Sequence, residues 1–169
     1  MDRKIIFFLL VVLLAGCKKN NWTEWKVQNE LWLAQKALED SVVTTSSGLL
    51  YKIIADPGAV NHEAKPNADS YITCDYKVRL INGYQVDGGT HISFYLANTI
   101  PGFREGCMKI HNHGDIELYI PAYLGYDYTK YQSDEYDEAE GTGSEGTSSY
   151  IPPYSTLKYE IHLCSVSGN

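Results

Sequence analysis

The stretch IPGFREGCM, from Ile100 to Met108, is the part of the sequence that decides the fold assignment. Pro101 stands where a helix can begin, because a missing N–H is harmless there, and the stretch has room for only a few turns. On both sides of it, apolar residues recur with the two-residue period of strands. The sequence therefore predicts one short helix among strands.

Strand-like segments precede and follow this helix. The dipeptide Asn82-Gly83 separates two of them and is typical of tight hairpins. The segments span residues 49–55, 70–81, 84–87 continued by 92–96, 116–120 and 156–166. About five antiparallel strands and one short helix predict an α+β domain.

Eight short motifs between about Ser46 and Val166 follow one another in an order that resembles the FKBP-type peptidyl-prolyl cis-trans isomerase family. The motifs are SGLLYK at 47–52, YKV at 76–78, VD at 86–87, FYL at 94–96, IPGFREG at 100–106, YIP at 119–121, IPP at 151–153 and TL at 156–157. The resemblance implies a curved antiparallel sheet wrapped around the short helix. It places the isomerase domain at residues 46–169 and implies proline-containing polypeptides as partners.

The resemblance also implies a pocket for a prolyl peptide. The implied catalytic residues are Tyr76, Asp87, Ile100 and Tyr126, and the implied substrate-binding residues are Val86, Phe94, Phe103, Ile151 and Tyr159. Phe103 would lie under the proline ring, and the Ile100 N–H and the Tyr126 hydroxyl would donate to substrate carbonyls. Taken without the motif order, Phe94, Phe103 and Tyr159 would be read as ordinary core residues.

Rotation about an Xaa-Pro bond makes and breaks no covalent bond, so the expected enzyme needs no cofactor. The expected function is to assist the folding of envelope or secreted proteins. Val86 and Phe103 stand where the family usually has an aromatic residue and tryptophan. These departures favour the alternative, a catalytically weak, peptide-binding or chaperone lipoprotein of the same fold.

The first residues resemble a bacterial lipoprotein signal. Arg3 and Lys4 precede an apolar run over residues 5–15, and Leu14-Ala15-Gly16-Cys17 resembles a lipobox. The expectation is a signal peptide at 1–16, lipidation of Cys17, and a location on the bacterial envelope, at the outer membrane facing the periplasm. The alternative is an ordinary signal peptide with a chance cysteine.

An amphipathic helix is predicted from Asn21 to about Ser41, within a tether at residues 17–45. Asn21 and Glu24 resemble a capping box. The apolar stripe consists of Val27, Leu31, Ala34 and Leu38, widened by Trp25 and Trp32. This stripe is expected to pack on the domain, to brace the tether, or to form a homodimer with another copy.

Charge and cysteine content exclude several classes of function. The net charge of −7 argues against nucleic acid as a partner. A segment at 127–149 carries a local charge of −6 and is predicted to be an acidic loop insertion. Cys74, Cys107 and Cys164 are interpreted as thiols, with one disulfide as the alternative. The pair His111 and His113 lacks further ligands at any standard spacing, so a polar turn and no metal are expected.

Overall fold

The computed structural model describes residues 22–126 and 151–167. The predicted signal peptide, Cys17, the Asn21 cap and the acidic insertion at 127–149 lie outside the described residues. The helices and strands are α1 (Trp22–Lys36), β1 (Val43–Thr44), β2 (Leu50–Ala55), α2 (Pro57–Asn61), β3 (Tyr71–Arg79), β4 (Gln85–Tyr95), α3 (Pro101–Cys107), β5 (Asp115–Ile120) and β6 (Leu157–Ser167). Two 3-10 turns, Leu96–Asn98 and Ala122–Leu124, follow β4 and β5.

The strands form one antiparallel sheet in the order β1-β2-β5-β6-β3-β4. The five longer strands are those predicted from the sequence, and the fragments at 84–87 and 92–96 belong to the single strand β4. The described residues contain a sixth strand, the two-residue β1, because Val43 and Thr44 pair with the start of β2. The α+β prediction is confirmed.

The hairpin between β3 and β4 turns at Asn82-Gly83, as predicted. Gly83 has φ of +85°, a left-handed conformation that glycine adopts without strain. The N–H of Gly83 donates to the carbonyl of Leu80 at 2.9 Å. The N–H of Leu80 donates to the carbonyl of Tyr84, also at 2.9 Å. This turn places β4 beside β3.

Helix α3 approaches β5 closely because two of its residues lack a side chain. A Cβ atom on Gly106 would collide with the side chain of Leu118, and one on Gly102 would collide with Ile120. Both of these strand residues are fully buried. The close approach brings Phe103 of α3 into the core, where only 3% of its surface is exposed.

The three described cysteines are free thiols, so the alternative of a disulfide is wrong for them. Cys74 and Cys107 are buried, whereas Cys164 is partly exposed. Burial raises the pKa of the Cys74 thiol to about 12, which keeps it protonated and unreactive.

The segment around His111 and His113 is a polar turn, as predicted. The N–H of Gly114 donates to the His111 carbonyl at 3.1 Å, which closes the turn. Nδ1 of His111 lies 2.9 Å from Oδ2 of Asp56, so this ring joins the turn to the residue that precedes α2.

The predicted helix is present, but only Trp25 and Trp32 of its predicted apolar stripe pack on the domain. Helix α1 ends at Lys36, five residues before the predicted end, and turns follow it. Val27, Leu31 and Leu38 are 47%, 59% and 86% exposed, and Ala34 is exposed as well. The helix therefore packs through the side that carries the two tryptophans.

The packed face of α1 carries Trp25, Asn29 and Trp32, a spacing of four and three residues. Nε1 of Trp25 donates to Oγ of Ser155 at 3.0 Å, and the ring of Trp32 meets the ring of Tyr119 edge-on at 5.7 Å. Asn29, at 2% exposure, is the most buried residue of the helix. Because the residue at the centre of this face is polar, the apolar pattern of the sequence indicated a stripe of which only the tryptophans pack on the domain.

No helix within residues 22–126 and 151–167 is both long and apolar enough to cross a membrane.

Candidate functional site

A cavity of about 290 Å³ lies between β3, β4, β6 and the start of α3. Its lining residues are Tyr76, Asp87, Phe94, Asn98, Thr99, Ile100, Phe103, Tyr126 and Tyr159. Seven of the nine residues predicted for the pocket therefore lie together around one cavity, although they come from five separate parts of the chain.

Four aromatic rings form the wall and floor of this cavity. The ring centroid of Phe103 lies 5.3 Å from that of Phe94 and 5.4 Å from that of Tyr159. Tyr76 completes the set, with its ring 5.4 Å from Phe94 and 6.4 Å from Tyr159. We call these four residues the aromatic cage. Phe103 and Tyr159 are also members of the hydrophobic core, so the interpretation of these two residues as core is compatible with their place in the cage.

A hydrogen bond between Tyr76 and Asp87 crosses the cavity side of β3 and β4. The Tyr76 hydroxyl donates to Oδ2 of Asp87 at 3.0 Å, and the Gly88 N–H donates to Oδ1 at 2.7 Å. Partial burial and the neighbouring carboxylate raise the pKa of Tyr76 to about 12. The hydroxyl therefore keeps its proton near neutral pH and holds the carboxylate in place.

Ile100 is the residue from which α3 starts. It has an extended conformation, with φ of −59° and ψ of 145°, and its carbonyl accepts the Arg104 N–H at 3.1 Å. No acceptor among the described residues lies in hydrogen-bonding geometry to the Ile100 N–H. That N–H is therefore a backbone donor at the edge of an apolar cavity.

Two predicted substrate-binding residues do not line the cavity. Val86 is 7% exposed and belongs to the core. It has no partner on β3, because Val78 pairs with Asp87 while Arg79 pairs with Gln85. This bulge buries Val86 and leaves Asp87 at the cavity. Ile151 is half-buried and packs against the core instead.

Sequence reasoning missed Asn98 and Thr99, which also line the cavity. They belong to the connection between β4 and α3, where the Thr99 hydroxyl donates to the carbonyl of Leu96 at 2.8 Å. Their position directly before Ile100 was the only signal in the sequence, because neither has an apolar or titratable side chain.

Known proteins of one family are similar to this chain in sequence and in fold. The family described as FKBP-type peptidyl-prolyl cis-trans isomerase matches residues 62–164. The FKBP-type peptidyl-prolyl cis-trans isomerase FkpA of Escherichia coli K12 is 34% identical over 134 residues, covering 77% of this chain and 42% of the relative. The outer membrane protein MIP of Legionella longbeachae is 29% identical over 147 residues, covering 85% of this chain and 54% of the relative.

The crystal structure of FkpA from Escherichia coli superposes with a TM-score of 0.70 at 25% identity, covering 98% of this chain and 73% of that one. The chain spans about half the length of the curated relatives it matches. The matched range contains all nine cavity residues, the strands β3, β4 and β5, and most of β6. The chain therefore belongs to the FKBP-type peptidyl-prolyl cis-trans isomerase family.

Proposed function

We propose that this protein is a peptidyl-prolyl cis-trans isomerase that assists the folding of envelope or secreted proteins. The observation that carries the proposal is the aromatic cage at the start of α3, with the Tyr76–Asp87 hydrogen bond beside it. An apolar cage of this kind suits a proline ring, and polar groups at its edge suit the two carbonyls that flank the prolyl bond.

The chemistry needs only differential binding. The planar Xaa-Pro amide resists rotation with a barrier of about 18–20 kcal/mol because twisting removes its resonance. An acceleration of about 10³ to 10⁶ corresponds to about 4–8 kcal/mol of preferential binding of the twisted state. A water-poor cavity supplies part of this, since the twisted carbonyl carries less resonance charge.

Seven of the nine cavity residues have a proposed part in this binding. Phe103 lies under the proline ring, and the other three cage residues form walls. The Ile100 N–H and the Tyr126 hydroxyl donate to substrate carbonyl oxygens, and so hold the peptide while the bond turns. Asp87 is the charged group nearest the twisting amide.

Exchange NMR on an Xaa-Pro peptide tests this proposal. We expect the purified protein to accelerate cis-trans exchange, and Tyr126→Phe to lower kcat/KM by about tenfold, which corresponds to about 1.4 kcal/mol for one lost hydrogen bond. Tyr123→Phe is the matched control, because Tyr123 is exposed and donates to the Ser47 carbonyl outside the cavity. Peptide binding without any acceleration by the parent protein would contradict the proposal.

That contrary outcome would support the second candidate function, a peptide-binding or chaperone protein of the same fold. The observation that favours it is Phe103 at the centre of the cage, whose ring is smaller than the tryptophan that is usual at this position of the family. A smaller floor leaves fewer contacts with the proline ring, and weaker contacts reduce the binding energy available for catalysis.

We further propose that the domain at 46–169 is held on the outer membrane, facing the periplasm, by lipidated Cys17 and the tether at 17–45. The support is the Leu14 to Cys17 pattern and a relative that is named as an outer membrane protein. Cys17→Ala should move the protein from the detergent phase to the aqueous phase in detergent partitioning, because the acyl chains are lost. Unchanged partitioning would contradict lipidation, and Cys164→Ala is the matched cysteine control.

We propose that the exposed stripe of α1 forms a homodimer. Val27 and Leu31 are large apolar residues left at the surface while the opposite face packs on the domain. Leu31→Glu should therefore shift the protein to the monomer in analytical ultracentrifugation. Val60→Glu is the control, since Val60 is an exposed apolar residue on α2. A parent protein that sediments as a monomer would show that the stripe is a spacer.

A further inference from the structure

A cluster of three possible metal ligands lies on the outer face of the sheet. Asp75 of β3, His91 of β4 and Cys164 of β6 come from three adjacent strands. Asp75 precedes Tyr76, and consecutive residues of a strand point to opposite faces. The cluster is therefore separate from the cavity that Tyr76 lines.

Two bulges bring these side chains together. On β6, Cys164 is an extra residue, because Thr73 pairs with Ser165 and Cys74 pairs with Leu163. On β4, Ile92 pairs with Cys74 and Gly89 pairs with Tyr76. Three steps along β4 therefore match two steps along β3, so β4 has one extra residue beside Asp75. Bulges redirect side chains and are frequent near functional sites.

His91 is placed by its own backbone as well as by the bulge. It has φ of +54°, in the left-handed region that non-glycine residues rarely adopt. Its N–H donates to Oδ1 of Asp75 at 2.7 Å, so the carboxylate holds the strained residue in position. As a result, the imidazole lies over the carboxylate instead of pointing away along β4.

The distances between the ligand atoms fit a tetrahedral metal ion. Oδ1 of Asp75 lies 3.3 Å from Nδ1 of His91 and 3.7 Å from Sγ of Cys164, and all three ligand atoms lie within 4.8 Å of one another. Zinc bonds of about 2.0–2.3 Å at tetrahedral angles require about 3.3 Å between nitrogen and oxygen and about 3.6 Å between oxygen and sulfur. Little movement is needed to bind such an ion.

We propose that Asp75, His91 and Cys164 form a binding site for a divalent transition metal, with Zn²⁺ as the ion that fits best. One imidazole, one carboxylate and one thiolate are the ligand types that zinc takes. Cys164 binds as the thiolate and releases its proton to solvent, and its negative charge with that of Asp75 neutralises the ion. Water takes the fourth position.

The surroundings of the cluster give an ion access and additional support. Asp75 lines an open groove of about 720 Å³ on this face of the sheet. His162, which pairs with Asp75 across β3 and β6, lines the same groove. Its Nδ1 lies 2.9 Å from Oδ1 of Asp115, which holds the ring at the groove beside Asp75.

Titration with Co²⁺ tests the site, because a cobalt–thiolate bond absorbs in the near ultraviolet and tetrahedral cobalt absorbs in the visible range. The protein used is the full chain carrying Cys17→Ser, in mild detergent. We expect one Co²⁺ per chain, displaced by one Zn²⁺. His91→Asn and Cys164→Ser should each weaken binding by more than about tenfold.

His113→Asn is the matched control, because His113 also has a positive φ, of 64°, and lies outside the cluster. Asparagine tolerates that conformation, so both histidine variants should fold. Circular dichroism checks the fold, and Zn²⁺ should raise the Tm of the parent and of His113→Asn but not of the other two. Absence of a thiolate band, or equal affinity in all variants, would overturn the proposal.

Discussion

Phe103→Ala should lower the free energy of unfolding by about 3–5 kcal/mol and reduce kcat/KM for a prolyl peptide by about 100-fold. The stability loss follows from burial, since only 3% of Phe103 is exposed and its ring contacts both Phe94 and Tyr159. The activity loss follows from the proposed function, because the same ring is the surface on which the proline ring lies. Replacing the ring with a methyl group leaves a void in the core of the free protein, and it removes the surface under the proline ring in the complex with the peptide.

Denaturant unfolding and exchange NMR on the same samples measure these two effects separately. Leu163→Ala is the control, because Leu163 is fully buried in the core and does not line the cavity. It should cost about 2–5 kcal/mol of stability while kcat/KM of the folded protein stays close to the parent value. If Phe103→Ala retained the parent kcat/KM, Phe103 would be a core residue with no part in catalysis.

Asn29→Ala should lower the free energy of unfolding by about 1–3 kcal/mol, although it removes only a small polar group. Oδ1 of Asn29 accepts the buried Thr156 N–H at 2.7 Å, and Nδ2 donates to the Trp25 carbonyl at 2.8 Å. Alanine would leave the Thr156 N–H without an acceptor at the start of β6. An unpaired buried donor costs more than the net value of the bond that is lost.

Val27→Ala is the control for this change, measured by urea unfolding at one protein concentration. Val27 lies on the other side of α1 and is 47% exposed, so its truncation should change stability by less than about 0.5 kcal/mol. Protease cleavage after Lys36 should also become faster in Asn29→Ala, because α1 detaches more often. Equal effects of the two substitutions would show that α1 is held by its tryptophans alone.

The order of short motifs and the local turn residues were enough to predict the fold class and most of the cavity. The Asn82-Gly83 hairpin and the Pro101 helix start depend on the backbone preferences of a few neighbouring residues. Once the segment from Ile100 to Gly106 placed the helix, the family order assigned Tyr76 and Tyr159 to the same pocket, and the structure brings them together. Information of this kind is carried by the sequence itself.

Other features depend on which residues face one another across the sheet, and only the tertiary structure decided them. The face of α1 that packs on the domain is the one that carries Asn29, because Asn29 accepts a hydrogen bond from the buried Thr156 N–H. The cluster of Asp75, His91 and Cys164 joins residues up to 89 positions apart through two bulges. A bulge shifts strand register by one residue, and because side chains alternate along a strand, that shift changes which side chains meet.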